Sequence, residues 1–402
     1  MTMHVLDRPG TDRRVAKTCA AVGAVAAVLA GMTVFALPAA ATTRASARQP
    51  TPTYTVRTIL SGKSLHHWYT KAGSKVRHSE PLADPDDLAR IGNDLFTAFQ
   101  NGVGPQGQAS PDGNRDSTVV EFTLSGKVVA QWDILGKCDG LTANTSARLL
   151  VATVNEDANS SLYTIDPSGG HVVHYSYNRP LPHKGGTDAI SFYNGLMLIS
   201  ASAPGTTGAA APKPYYPAVY VVTLNQARHV AYLRSLFWDE SHASAANGPH
   251  IGGPVRLGLT DPDSSEVVPG FESRFAGDFM LTSQGDKEQI YTHVTRTGHG
   301  KLWVLDLPRP VDDTAWSTSW HGAFYAASTG DDTIDEIVGS FWPGTAFVAV
   351  TPCDASNAPA TCPAPGFPAN YLGHLNMYTG HIDRVLLRGA ALHPQGLIFV
   401  PF

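Results

Sequence analysis

Three times between residues 87 and 190 the chain repeats one phrase. Asp87-Leu88-Ala89, Asp139-Gly140-Leu141 and Asp188-Ala189-Ile190 are spaced 52 and then 49 residues apart. After each comes a short apolar run, a polar turn and one or two further apolar or alternating runs. The first unit continues through Leu95–Phe99, Thr118–Phe122 and Val128–Trp132, and the second through Leu149–Thr153, Ser161–Ile165 and His171–Tyr175. The third contains Leu196–Ile199 and Ala218–Val222. Runs of this length, bounded by Gly, Pro, Asn and Asp, read as strands. A period near fifty residues is that of a four-stranded antiparallel blade, the unit of a β-propeller. The expected fold is therefore all-β, a ring of about six four-stranded blades, with five or seven also fitting the spacing.

Later units are looser. Phe279–Thr282, Gln289–Thr292 and Leu302–Leu305 supply a fourth, and Asp313–Trp316 with Ala323–Ala326 opens a fifth. A sixth holds Tyr371–Leu375, Ile382–Leu386 and Gly396–Val400. The final run stops at Phe402 and the first begins at Tyr54, and neither could stand with an open, apolar edge. The C-terminal strands are expected to complete one blade with the N-terminal strand and close the ring, in one domain spanning residues 48–402.

Composition agrees. With 43% hydrophobic residues, 38 Gly and 29 Pro in 402 residues, the chain can bury a core and needs many tight turns. The formal net charge is −5 and the 29 Lys and Arg form no long cluster, so nucleic acid is not an expected partner.

Residues 1–47 differ in kind. Arg8, Arg13, Arg14 and Lys17 precede a charge-free run from Thr18 to Thr43, which ends in the small-residue steps Ala39-Ala40-Ala41 and Ala45-Ser46-Ala47. This order is that of a secretory signal with its cleavage region. The expected product is a secreted, monomeric protein without a membrane anchor; the alternative is an uncleaved N-terminal anchor, since about 20 apolar residues span a bilayer. Export reaches an oxidising compartment, where Cys353 and Cys362, bracketing a Pro- and Ala-rich loop, are expected to form a disulfide. Cys138, before an apolar run, reads as a buried structural thiol.

Some phrases carry a family resemblance. Lys137-Cys138-Asp139-Gly140-Leu141-Thr142-Ala143-Asn144 followed by Leu150-Val151-Ala152-Thr153, and His393-Pro394-Gln395-Gly396-Leu397, resemble the repeats of NHL propellers and of the gluconolactonase-like (senescence-marker) group. The resemblance implies a six-bladed propeller. For the gluconolactonase-like group it also implies a divalent cation in the central channel and hydrolysis of lactones or esters, and for the NHL group a binding role.

In a blade, the start of the innermost strand and the turn after the second strand lie at the same end of the ring. Here the strand starts carry Asp87, Asp139, Asp188 and Asp313, and the turns carry Asn101, Asn155-Glu156-Asp157 and Asp286. Converging carboxylates and amides favour a hard cation, Ca²⁺ or Mg²⁺, so the four aspartates are the expected metal ligands. For a lone aspartate at a strand start, a turn cap is the competing role. His250 and His393 are further candidates for the same face. No complete catalytic constellation is readable, and there is no Gly-x-Ser-x-Gly elbow. Two readings stay open: a propeller binding a small molecule or a partner protein at its polar face, and a metal-dependent hydrolase, lactonase or lyase.

Overall fold

The computed structural model describes residues 54–182, 185–202, 216–352 and 370–402. Residues 1–47, read above as an export signal, and Cys353 and Cys362, expected to form a disulfide, lie outside the described residues. Among the described residues there is no α-helix, and no helix is long and apolar enough to cross a membrane.

Six antiparallel blades account for most of the strands. Blade 1 is built from Pro85–Ile91, Asp94–Phe99, Asp116–Thr123 and Val128–Leu135. Blade 2 comprises Cys138–Asn144, Leu149–Val154, Ser161–Asp166 and His171–Tyr177. Blade 3 contains Ile190–Tyr193, Leu196–Ser200, Pro217–Asn225 and Val230–Trp238. In blade 4 the order is Pro262–Val267, Phe279–Ser283, Glu288–Thr292 and Trp303–Asp306, with His242–Ala245 and Pro254–Arg256 added at the outer edge.

Blades 5 and 6 are interleaved in sequence. The chain lays down Val311–Trp316 in blade 5, then departs to form the hairpin Gly322–Ser328 and Thr333–Val338 in blade 6. It returns to blade 5 with Ala346–Val350, Tyr371–Leu375 and Ile382–Arg384. The two connecting arms are tied where Ser317 N–H donates to the Thr345 carbonyl (3.0 Å) and Gly344 N–H to that of Ser317 (2.8 Å). Ala323–Ala326 thus belongs to blade 6 and Tyr371–Leu375 to blade 5, the reverse of what the order of runs suggests. The runs are right, but strands adjacent in sequence need not pair.

Blade 6 closes the ring with strands from three parts of the chain, in the order Leu397–Pro401, Gly322–Ser328, Thr333–Val338 and Tyr54–Ser61. The first and last described strands share this sheet, and Tyr54–Val56 pairs in parallel with Leu387–Gly389. The last strand itself lies at the opposite, inner edge, separated from Tyr54–Ser61 by the hairpin.

Burial follows position. A central strand such as Ala346–Val350 is buried at every residue because both faces pack on neighbouring blades, whereas outer Val128–Leu135 is largely alternating. Each gap between blades holds its own apolar cluster. Phe96, Ile134, Leu141 and Leu150 fill the gap between blades 1 and 2, and Leu60, Phe99, Phe122, Tyr325 and Val400 fill that between blades 6 and 1. Clusters likewise join blades 2–3, 3–4, 4–5 and 5–6. The ring is closed on apolar contacts all the way round, which fixes the count at six.

Candidate functional site

Several inner strands begin with the same irregularity. Pairing with the second strand slips between Pro85 and Leu88, Cys138 and Leu141, Pro262 and Ser264, and Val311 and Thr314. A bulge of this kind breaks the alternation of the strand and re-aims the side chains beside it. Two residues before Leu88, Leu141, Ile190, Ser265, Thr314 and Leu397 stand Asp86, Asp139, Asp188, Asp263, Asp312 and Gln395, one from each blade. All six line one cavity of about 350 Å³. The turns after the second strands add Gln100, Glu156, Asp157, Ser202 and Gln284, and Pro105, Asp261 and Lys137 complete the wall.

Lys137 is the only cationic side chain among these. Its Nζ contacts Asp139 Oδ1 at 2.6 Å and also pairs with Glu156 Oε1. Burial opposes its charge, but Asp139, Glu156 and Asp86 outweigh that and hold its pKa well above the ordinary lysine value. Gln100 Nε2 donates to Asp86 Oδ2 (2.6 Å) and faces Asp139 Oδ1 (3.2 Å), and Gln395 Nε2 donates to Asp312 Oδ2 (3.2 Å). Asp139 Oδ2 is buried with no hydrogen-bond partner.

One lysine does not balance the carboxylates. Burial pushes Asp188 well above the usual carboxylate range, and Asp139 and Glu156 push it further. Asp263 is raised by burial and then by Asp312 and Asp188. Asp86 is raised by burial and by Asp312, against the pull of Lys137. Such a group takes up either protons or another positive charge.

The four aspartates expected as metal ligands divide. Asp139 and Asp188 line the cavity, but Asp87 and Asp313 do not. Asp87 Oδ2 accepts the Leu141 N–H at 2.9 Å, Asp313 Oδ2 accepts the Leu397 N–H at 2.7 Å, and Asp313 Oδ1 accepts the Thr314 N–H. Glu156 and Asp157 are at the cavity, whereas the other candidates hold loops. Asn101 bonds Ala83 N–H, the Asp116 carbonyl and Thr118 Oγ1. Asn155 accepts the Lys137 N–H and donates to the Asn159 carbonyl, and Asp286 accepts from Thr260 and Ser283. His250 is exposed, and His393 Nδ1 sits 2.6 Å from Asp331 Oδ2. Among the described residues no group of three or more His, Cys, Asp or Glu is arranged to hold a metal ion.

Sequence reasoning passed over Asp86, Asp263 and Asp312. The signal for Asp86 and Asp312 was the offset of two residues before the regular strand that Asp139 and Asp188 share, hidden in Asp86-Asp87 and Asp312-Asp313 because both members of each pair are aspartate.

No family model matches the sequence, and no curated protein matches it. Similar solved structures include a streptogramin B lyase, 12% identical, covering 83% of this chain and 91% of that one with a TM-score of 0.40. A candidate gluconolactonase is 9% identical, covers 85% and 84% of the two chains and has a TM-score of 0.41. A candidate 6-phosphogluconolactonase from Bacteroides uniformis is 10% identical, covers 87% and 100%, and has a TM-score of 0.42. The strand pairing and the cavity of this chain define a six-bladed β-propeller with a carboxylate-lined channel mouth.

Proposed function

We propose that this propeller binds a small, positively charged ligand, a protonated amine or a hard divalent cation, at the mouth of its channel. One observation carries the reading: five blades each contribute an aspartate at the same structural position to one cavity in which, among the described residues, Lys137 is the only cation. The Lys137 ammonium, held between Asp139 and Glu156, is a template for how a ligand ammonium would be taken. Oxygen donors alone suit Ca²⁺ or Mg²⁺ as well. The cavity is within the size range of small-molecule sites.

Calorimetric titration with Ca²⁺, Mg²⁺ and a protonated diamine tests this and separates the two ligand chemistries. At least one should bind, and Asp188→Asn with Asp263→Asn should weaken it tenfold or more; no heat from any of the three would overturn the reading. The signal read in residues 1–47 supports action outside the cytoplasmic membrane. Mass spectrometry of protein from culture medium should find an N-terminus after Ala41 or Ala47, and an intact Met1 in a membrane fraction would show an anchor instead.

A further inference from the structure

On the flank of blade 2 two cavities, of about 810 and about 450 Å³, share Gln106, Asn159, Ser160 and Ser176, and so form one groove. It lies across a thin wall from the channel mouth. The loops that give Pro105, Glu156 and Asp157 to the mouth turn Gln106, Asn159 and Ser160 to the groove. The chemistry reverses across that wall: among the described residues no Asp or Glu lines either cavity, while Arg115 and Arg179 do, in a chain of formal net charge −5.

The wall is built rather than incidental. Asn155 Oδ1 accepts the Lys137 N–H (3.0 Å), its Nδ2 donates to the Asn159 carbonyl (3.1 Å), and Asn159 Nδ2 donates to the Gln106 carbonyl (3.2 Å). Gly136 and Gly107 have φ of 113° and 77°, and a Cβ on either would come within 2.6 and 3.0 Å of the Asn155 amide. Tyr177 Oη and Ser160 Oγ both bond Thr187 Oγ1, at 2.6 and 2.8 Å. His174 packs on Tyr163 with ring centroids 4.7 Å apart and the planes tilted by 35°, and burial together with His229 lowers its pKa, so the imidazole is neutral at pH 7. Among the described residues the fixed charges of the groove are the two guanidinium groups. Arg115 uses one nitrogen on the Gly107 carbonyl, and Arg179 makes no hydrogen bond or ion pair among the described residues.

Amides and hydroxyls both donate and accept, as sugar hydroxyls do, and a guanidinium fork fits a carboxylate or sulfate through paired hydrogen bonds. A peptide added as an extra strand is disfavoured, because Ser176–Tyr177 at the outer edge already pairs with Val230–Ala231 of blade 3. We propose that this groove binds an anionic oligosaccharide, its acid groups at Arg115 and Arg179 and its hydroxyls on the amides and hydroxyls between them.

The experiment is calorimetric titration of the full chain with a galacturonate hexamer, a sulfated hexasaccharide and neutral maltohexaose at one ionic strength. At least one anionic hexamer should bind, ten times or more tightly than maltohexaose, and the better of the two identifies the acid group. Arg115→Gln and Arg179→Gln should each weaken it at least fivefold with unchanged melting temperature, both side chains being exposed. Asp188→Asn in the mouth should leave it unchanged, so failure here is distinct from failure of the channel-mouth reading. Equal affinity for maltohexaose, absence of binding by all three sugars, or indifference to both arginine replacements would overturn the proposal.

Discussion

The Asp87 carboxylate reaches out of its own blade to accept the backbone N–H of Leu141 at 2.9 Å, and Asp313 does the same for Leu397 at 2.7 Å. The two aspartates hold equivalent places, and so do their partners, each beginning the regular part of the next blade's inner strand. In blade 4 the hydroxyl of Ser264, at the same place, donates to the Asp312 carbonyl of blade 5. Adjacent positions at a strand start therefore split the work: one faces the channel, and the next ties blade to blade.

Removing a tie should cost stability and leave ligand binding alone. Asp87→Ala and Asp313→Ala each strand a backbone N–H, and are expected to lower unfolding free energy by about 1–3 kcal/mol in urea denaturation. Asp188→Asn should do the opposite at pH 8, raising stability, because burial and neighbouring carboxylates disfavour its charge. If Asp87→Ala were neutral in stability but abolished binding at the mouth, the division between tie and ligand would be wrong.

How much of this was legible in the sequence depends on what periodicity reports. The apolar runs and the Asp87, Asp139 and Asp188 phrases locate strands and blades, because burial on both faces demands continuous apolar stretches. Pairing is another matter: nothing in Gly322–Ser328 says that it crosses to Leu397–Pro401 rather than pairing with Val311–Trp316. Likewise a bulge changes which of two neighbouring side chains faces the channel, and Asp86-Asp87 carries no mark of where its bulge lies. Asp139 and Asp188, without an acidic neighbour, were found.

Stability should fall as pH rises. Burial and then Asp313 push Glu266 up to about 8, burial and then Asp286 push Glu288 up to about 8, and burial raises Asp313 to about 6. Between about pH 4, where these groups ionise in the unfolded chain, and about pH 8, the folded protein binds more protons than the unfolded one. Their contribution is thus fully present below pH 4 and lost as pH rises through 6 to 8. Glu288 Oε1 is also buried without a hydrogen-bond partner. Glu288→Gln should flatten the melting-temperature profile between pH 6 and 9; an unchanged slope would count against a raised pKa at this site.

Closure of blade 6 rests on aromatic packing. Phe399 meets Phe324 and Phe341 with centroids 4.9 and 5.4 Å apart, so the C-terminal strand is held by side chains as well as by its ladder to Gly322–Ser328. Phe399→Ala should cost about 3–5 kcal/mol, the usual range for emptying such a site. Hydrogen exchange should show the loss concentrated in Leu397–Pro401 and Gly322–Ser328. A loss spread evenly over all blades would mean that the ring opens elsewhere first.

The hairpin His66–Thr70 and Arg77–Pro81 is fastened to the edge of blade 1 through His67. That imidazole is buried, with Nε2 3.1 Å from Glu80 Oε1 and Nδ1 3.6 Å from Asp133 Oδ1. Burial opposes its charge, but Asp133 and Glu80 outweigh it and raise its pKa above the ordinary histidine value. A raised folded pKa means that the contact is fully stabilising below about pH 6.5, the unfolded value, and is lost as pH climbs through the higher folded value. Hydrogen exchange of the hairpin amides, corrected for intrinsic rate, should therefore be slow at pH 6 and faster at pH 9. In His67→Gln that difference should vanish, since glutamine cannot gain the charge. Asp133→Asn should lower the imidazole's pKa in an NMR titration, because it removes one of the two carboxylates holding the proton. Persistence of the pH effect in His67→Gln would assign it to the carboxylates of the ring and not to this histidine.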